Sequence, residues 1–376
     1  MLKGIYLTLL IGPVVPLPVP PEVLDALTDV TVTNRDGGGS GFQLSFKISK
    51  NSPLHTLFLL TGGGVAPLFR VIIIATLNGA PTVLMDGVIT NHEIAPDPAG
   101  GQALLTITGE DLSVVMDRID FSGFPFPAVP AEGRVALLVA KYSFLGLVPL
   151  IIPSVLVDVV VPTTRIPSQR GTDLSYIKYL AEEVGYVFYI EPGPVPGVNI
   201  AYWGPRIKVG APQPALSINL DAHTNVESLT FNFSNNLNAI PTAFYYDELT
   251  KAVIVVPIPP ITPLNPPLGL LPPIPTRLEP AAHDLAKYSL PKAIMIGLAK
   301  AAQWADAVTG RGELDVLRYG RILKARQLVG VRGAGLAYDG LYYVKSVQHK
   351  IKRGQYRQSF ELSRNGLIST FPNVPV

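Results

Sequence analysis

Short alternating segments separated by glycine and proline are the feature that most limits the fold of this chain. Its 376 residues include 34 glycines and 37 prolines, residues that end regular elements and form turns. Between them, segments such as FQLSFKIS (42–49) and YRQSFELS (356–363) alternate apolar and polar side chains, the pattern of strands with one buried face. The sequence therefore predicts a mainly β fold, built as barrels or sandwiches, with smaller α/β insertions.

Helical signals are few. The segment TDLSYIKYLAEEVG (172–185) carries a capping Thr172, apolar residues at helical spacing and a terminating Gly185, so it predicts a helix. A shorter helix is predicted in GEDLSVVMDRID (109–120), and an alanine-rich one from Leu290 to Val308. Ten prolines between Pro257 and Pro280 are mixed with isoleucine and leucine, which predicts an extended apolar arm rather than a polar linker.

Composition excludes several classes of protein. The chain has no cysteine, which removes disulfides, thiol catalysis and cysteine-ligated zinc. Basic and acidic residues nearly balance, 30 against 28, which argues against a dedicated nucleic-acid binder. Charged residues make up only 15%, against about 25% in typical soluble domains. So apolar a chain is expected to cover part of its surface with partners.

The apolar segments do not predict export or membrane insertion. Lys3 precedes a short apolar run, but prolines follow it instead of a small-x-small cleavage site, so we expect a strand there rather than a signal peptide. The two other long apolar segments, 67–77 and 135–161, are interrupted by charged residues or prolines. Neither has the ~20 consecutive apolar residues of a membrane-spanning helix.

No active site is detectable. The five histidines lack metal-ligand spacing, and there is no nucleophile elbow or phosphate-binding loop. Four acidic residues, Glu110, Asp111, Asp117 and Asp120, would allow a glycosidase-type pair, although a solvated helix face explains them more simply. We therefore predict no catalytic residues, no cofactor and no metal, hence no enzyme.

Positive charge gathers near the C-terminus. The segment from Arg311 to Arg357 contains eleven basic residues and only three acidic ones. We define the basic ribbon as the five of them that are candidates to face a lumen or a neighbouring molecule: Lys345, Lys350, Lys352, Arg353 and Arg357. With the nearby tyrosines this ribbon would suit single-stranded nucleic acid, or an acidic neighbour or a solvated channel. We assign Leu341, Tyr343 and Val347 to one apolar face of this segment and expect Lys345 on the other, toward the lumen or a neighbouring molecule.

An internal echo suggests duplication. Asp86-Gly87 precedes Gly101-Gln102 by the same interval, 15 residues, at which Asp339-Gly340 precedes Gly354-Gln355. Each motif is followed by an alternating strand. We interpret Asp86, Gly87, Asp339 and Gly340 as the signature of two copies of one hairpin-bearing barrel.

Four segments together resemble one family. VLMDGVITNHEI (83–94) followed by LLTITGEDLSVVMDR (104–118) resembles the first barrel of phage late-control-D proteins, the baseplate hubs of contractile tails. TDLSYIKYLAEEVGYVFYI (172–190) is similar to their linking domain, and 312–366 resembles their closing barrel most strongly. The segments occur in the family's order, and the same fold forms the N-terminal hub part of VgrG spike proteins.

The resemblance implies a homotrimer in which two tail-tube-like β-barrels per chain form a pseudo-sixfold ring around a lumen. It would adapt a threefold spike to a sixfold tail tube. Its implied partners are spike, tail-tube and other baseplate (wedge) proteins, with DNA or cargo passing through without specific binding. It would be made in the bacterial cytoplasm and assembled into a virion tail or injection particle. The implied domains are a first barrel 1–115, an α/β linking domain 116–205, a second barrel 206–250 plus 312–368, an arm-and-helix insertion 251–311 and a tail 369–376.

Two other functions stay open from the residues alone. One is a carbohydrate-binding or polysaccharide-active β protein, which would use an acidic pair in a groove. The other is a single-strand nucleic-acid binder, which would use the basic ribbon and show salt-dependent affinity.

Overall fold

A computed structural model gives the structure of this protein. The described residues are 4–13, 15–49, 52, 68–96, 102–154, 166–234, 239–247, 251–257, 266–274, 277–280, 294, 296–298, 300–301 and 306–371. Glycine-rich segment 61–67, part of the proline arm and most of the predicted alanine-rich helix lie outside them.

Strands dominate the described chain. The first part contains β1 (Ile5–Pro13), β2 (Leu17–Pro18), α1 (Pro21–Ala26), β3 (Leu27–Arg35), β4 (Gly41–Ile48), β5 (Phe69–Leu77), β6 (Ala80–Pro96) and β7 (Ala103–Asp111). The middle contains a 3-10 helix (Leu112–Asp117), α2 (Ala131–Ala140), a 3-10 turn (Ser143–Leu145), β8 (Leu147–Ile151), α3 (Asp173–Val184), β9 (Val187–Pro192) and β10 (Asn199–Gly204).

The last part begins with β11 (Gln213–Ser217), a 3-10 turn (Asp221–His223), β12 (Ser228–Phe233), β13 (Ala239–Asp247), β14 (Ala252–Pro257), β15 (Gly269–Leu271) and β16 (Arg277–Pro280). It ends with β17 (Val308–Asp315), a four-residue helix (Val316–Tyr319), β18 (Leu328–Arg332), β19 (Gly340–Lys352), β20 (Gln355–Arg364) and β21 (Leu367–Ser369).

One strand order occurs twice. The first module comprises β1, β3, β4, β5, β6 and β7, and the second comprises β11, β12, β17, β18, β19 and β20. Numbered along the chain within each module, both sets pair in the order 1-4-5-6-3-2. The modules differ in that β1–β5 is antiparallel whereas β11–β18 is parallel. β3 pairs with β19, which joins the modules into one sheet of thirteen described strands.

The fifth strand of each module changes partner along its length. The first part of β6 pairs with β5 and its second part with β7, with a register shift between Ile89 and Asn91. β19 does the same with β18 and β20, with a shift between Val344 and Ser346. Such bulges bend a strand, and each long strand thereby connects two groups of strands in the sheet.

Both modules contribute to one core. Alternate residues on β3, β4, β7, β19 and β20 turn apolar side chains inward, and Leu44, Ile107, Val347 and Leu362 are fully buried. Burying apolar area at roughly 25 cal/mol per Å² is the main stabilising term for such a core. The mainly β prediction is confirmed.

The middle of the chain forms an α/β unit with its own core around Trp203 and Ile177. Its sheet runs β8-β10-β9. The predicted helix is confirmed as α3: Thr172 Oγ1 accepts the Ser175 N–H, and Gly185 ends the helix at φ 72°. The helix predicted at 109–120 is shorter, because 109–111 belong to β7 and Asp111 caps the 3-10 helix that follows.

The chain between the modules differs in part from expectation. Residues 239–280 contribute the small sheet β14-β13-β16, and β15 pairs with β21. Residues 294, 296–298 and 300–301 are helical, but the predicted helix end at Val308 is wrong, since β17 begins there. β17 thus starts four residues before the expected domain boundary at 312.

Candidate assembly surface

Eight strands lie side by side across both modules, in the order β12-β17-β20-β19-β3-β4-β7-β6, each antiparallel to the next. Residues directly opposite each other on neighbouring strands share a face. The row Thr230, Arg311, Glu361, Ser346 and Arg35 follows this rule across five strands. The face opposite the core therefore runs unbroken from one module into the other.

We call this surface the polar face. It carries serine, threonine, asparagine and glutamine side chains together with balanced charges. The charged members are six basic residues, Arg35, Lys47, Arg311, Lys350, Lys352 and Arg357, and six acidic ones, Asp29, Glu93, Glu110, Glu313, Asp315 and Glu361. The charge on this face therefore sums to about zero.

Acidic residues from distant segments lie beside most of the basic ribbon. Lys352 Nζ lies 3.3 Å from Asp29, Arg357 lies 3.2 Å from Glu227, and Arg353 lies 3.9 Å from Asp25. Lys350 is exposed on the polar face. These pairs are partly exposed and contribute little to stability, but they reduce the positive potential that phosphates would meet.

Lys345 lies away from that group. Its Nζ lies 3.3 Å from the buried Asp306, to which Lys208 also donates at 2.9 Å. Burial alone would raise the pKa of Asp306, but the two ammonium groups hold it well below its usual range. Lys345 therefore joins the second module to the segment that follows the α/β unit.

The predicted faces of β19 are wrong for Val347. Because the register shifts between Val344 and Ser346, Val347 packs in the main core together with Tyr342 and Val344. Leu341 and Tyr343 pack on the other side, against Leu268 and Leu328. A one-residue bulge moves every following side chain to the opposite face.

Asp86 forms a buried ionic contact that links the first module to the α/β unit. Arg70 Nε and Nη2 donate to its two carboxylate oxygens at 2.6 and 2.7 Å. Asn199 Nδ2 donates to the same carboxylate at 2.8 Å, and Arg70 Nη2 donates to the Gly197 carbonyl at 3.1 Å. Gly87 follows it at a close strand crossing, where a Cβ would lie 2.2 Å from the Glu110 carbonyl oxygen.

Asp339 has a different role. Its carboxylate accepts the Ala334 N–H at 2.8 Å in the turn before β19, and Gly340 has φ 118°. The two echo motifs thus lie at the corresponding long strands β6 and β19, but at positions that do not correspond and are not in contact. Asp86 is in mid-strand, whereas Asp339 precedes its strand.

The acidic stretch at 110–120 stabilises backbone turns. Asp111 accepts the Ser113 N–H at 2.9 Å, and burial raises its pKa. Hydrogen bonding by the Ser122 side chain and then by the Ser122 N–H lowers the pKa of Asp120, and Asp117 accepts the Thr172 hydroxyl. These capping contacts do not form a carboxylate pair facing a groove. Among the described residues, no three metal-ligating side chains cluster.

Sequence reasoning missed the role of His349. The residue is buried in the second module, with Nδ1 2.7 Å from the Tyr356 hydroxyl and 3.3 Å from Gln358 Nε2. Burial lowers its pKa to about 3, so the imidazole is neutral. Its place in an alternating segment was the available sequence signal, and the structure sets it opposite Gln358.

The eight-strand sheet ends in two open edges. β12 pairs with β17 on one side only, and the second part of β6, residues 89–96, pairs with β7 only, among the strands of the described chain. Ile94 in that part of β6 is 43% exposed. Unpaired strand edges of this kind bind further strands readily.

Comparisons with known proteins then reveal the fold. The tail protein from Neisseria meningitidis MC58 aligns with a TM-score of 0.63 and 13% identity over 97% of this chain and 98% of that one. The chain has the fold of phage tail proteins. The 43 kDa tail protein of prophage MuSo2 from Shewanella oneidensis matches at TM-score 0.62 and 11% identity, over 96% and 99% of the two chains.

A Francisella PdpA–VgrG complex matches at TM-score 0.58 and 10% identity, over 100% of this chain and 60% of that one. No protein-family model and no curated protein sequence matches. Among the described residues, no helix combines the length and the apolar character that crossing a bilayer requires.

Proposed function

We propose that this protein is the structural hub of a contractile-tail baseplate or a related injection device. The observation that carries the proposal is the doubled strand order, joined through β3 and β19 into one sheet with a continuous polar face. Two equivalent modules in one chain allow three chains to present six modules around an axis. Such a trimer adapts a threefold spike to a sixfold tube.

The polar face is the proposed wall of the lumen. Hydroxyl, amide and balanced ionic groups keep it hydrated, while the opposite side of the same strands is buried in the core. Because its charge sums to about zero, it offers no strong potential to hold a polyanion. DNA or protein cargo would pass without specific binding.

The proposed partners are the spike, the tail tube and wedge proteins, and the proposed location is the virion tail or an injection particle. The fold shared with tail proteins and with a chain of a PdpA–VgrG complex supports this assignment. A catalytic role is not proposed, because Asp111 and Asp120 cap backbone turns and Asp117 accepts the Thr172 hydroxyl. Among the described residues, we find no contact that favours the polysaccharide-active or the nucleic-acid alternative.

Mass photometry of the purified protein, followed by electron microscopy, tests the proposal. We expect trimers that appear as rings with an open centre and that bind a co-expressed spike protein. A persistent monomer at high concentration that forms no complex with the spike would contradict it.

A further inference from the structure

The joint between the two modules is half of a repeating pattern. It pairs β3, the second strand of the first module, with the second part of β19, the fifth strand of the second module. The open edges of the eight-strand sheet are formed by the strands at the same two positions, the second and the fifth, but each in the other module. They are β12, the second strand of the second module, and the second part of β6, the fifth strand of the first.

We propose that another copy of this chain completes the pattern, with β12 of one copy paired to residues 91–96 of β6 in the next. The inference rests on the proposed function and adds the edges and the register. Eight alternately directed strands leave the two end strands pointing in opposite directions. Head-to-tail copies therefore continue the antiparallel pairing, and the ring closes with every edge paired.

The register follows from the internal joint. Asn91 and Ser346 are the first paired residues after the register shifts in β6 and β19, so they correspond. Two residues further on, Glu93 corresponds to Gln348. Thr108 on β7 lies opposite Asn91, and Glu361 on β20 lies opposite Ser346, so these two residues also correspond. Two residues further along each strand, Glu110 therefore corresponds to Ser363.

The partner strand is aligned through its neighbours. Thr33 lies in one cross-strand row with Gly41 and Glu110, and Asn232 lies in the matching row with Thr309 and Ser363. Thr33 and Asn232 therefore correspond.

Because Gln348 lies opposite Thr33 inside the chain, Glu93 of one copy lies opposite Asn232 of the next. By the same count, Ile94 lies opposite Phe231.

The side chains suit this pairing. In the internal joint Gln348 Nε2 donates to Thr33 Oγ1 at 3.4 Å, and an Asn232 amide can donate to the Glu93 carboxylate in the same way. On the core side, the exposed Ile94 would be covered beside the half-buried Phe231. The joint would thus pair two open edges and bury exposed apolar surface in one step.

Disulfide trapping tests the register, because the chain contains no cysteine. The double variant Glu93→Cys/Asn232→Cys places the thiols on directly opposed residues, about 4.5–5.5 Å apart at Cβ. Mild oxidation should give a covalent ladder on a non-reducing gel that ends at the trimer, as a closed ring requires. The internal control Thr33→Cys/Gln348→Cys should form an intrachain bond under the same conditions. The off-register pair Glu93→Cys/Ser228→Cys, shifted by four residues or about 13 Å, should give no ladder.

The outcomes separate this inference from the proposed function. Trimers by mass without a ladder, while the internal control closes, would overturn the joint and leave the hub intact. A ladder from the Ser228 pair would overturn the register. Cross-linking that continues past the trimer would support the joint and refute a ring of three. Protein that stays monomeric would remove both.

Discussion

The buried contact between Asp86 and Arg70 allows the sharpest stability prediction. The Asp86 side chain is 1% exposed and the Arg70 side chain 6%, and two hydrogen bonds of 2.6 and 2.7 Å join them. In Asp86→Ala the Arg70 cation stays buried next to the Gly197 carbonyl, and Asn199 loses its acceptor. Removing one partner of a buried pair costs about 3–5 kcal/mol, and the lost Asn199 hydrogen bond about 1 kcal/mol more.

Urea unfolding followed by tryptophan fluorescence measures this loss, because Trp203 lies in the core of the adjoining α/β unit. The double variant Arg70→Met/Asp86→Leu removes both charges and should recover most of the stability. Glu361→Ala is the matched control. Its partner Arg311 is largely exposed, with Nη2 3.5 Å from the Glu361 carboxylate. Such surface pairs contribute at most about 1 kcal/mol.

Two results would refute the reasoning. A loss below about 1 kcal/mol in Asp86→Ala would mean that water reaches the guanidinium. A double variant as unstable as the single one would mean that side-chain shape, rather than the loss of the carboxylate beside Arg70, determines the cost.

Three further predictions concern other positions. Gly87→Ala should lower the melting temperature and soluble yield, since its Cβ would lie 2.2 Å from a backbone oxygen of β7, whereas Gly37→Ala, with open space around it, should change neither. The folded-state pKa of His349 is lowered to about 3, below the unfolded value of about 6.5, so its contribution to stability is present above the unfolded pKa and is lost as pH falls towards 3. His349→Gln should flatten that dependence by up to about 1.4 kcal/mol per pH unit, and an unchanged slope in chemical unfolding at pH 7 and 5 would contradict the neutral buried imidazole. Fluorescence anisotropy with a labelled single-stranded oligonucleotide should show no binding at 150 mM salt. Salt-dependent binding that disappears when Lys350, Lys352 and Arg353 are neutralised would instead support the nucleic-acid function.

Local patterns in the sequence determined the elements of this fold. Strand alternation marks the buried faces because side chains point to opposite sides at every second residue, and α3 begins and ends where Thr172 and Gly185 place it. The echo between the motifs at Asp86 and Asp339 indicated a doubled unit, although the two aspartates have unrelated contacts.

The tertiary structure decided which strands meet and what the charged residues face. β3 pairs with β19 more than three hundred residues away, and the bulge after Val344 reverses the faces of β19. The basic ribbon looked like a binding surface because its neighbours Asp29, Glu227 and Asp306 come from remote segments. Alternation reports which face of a strand is buried, but strand partners and register come from packing between distant segments, and a shift of one residue changes every contact.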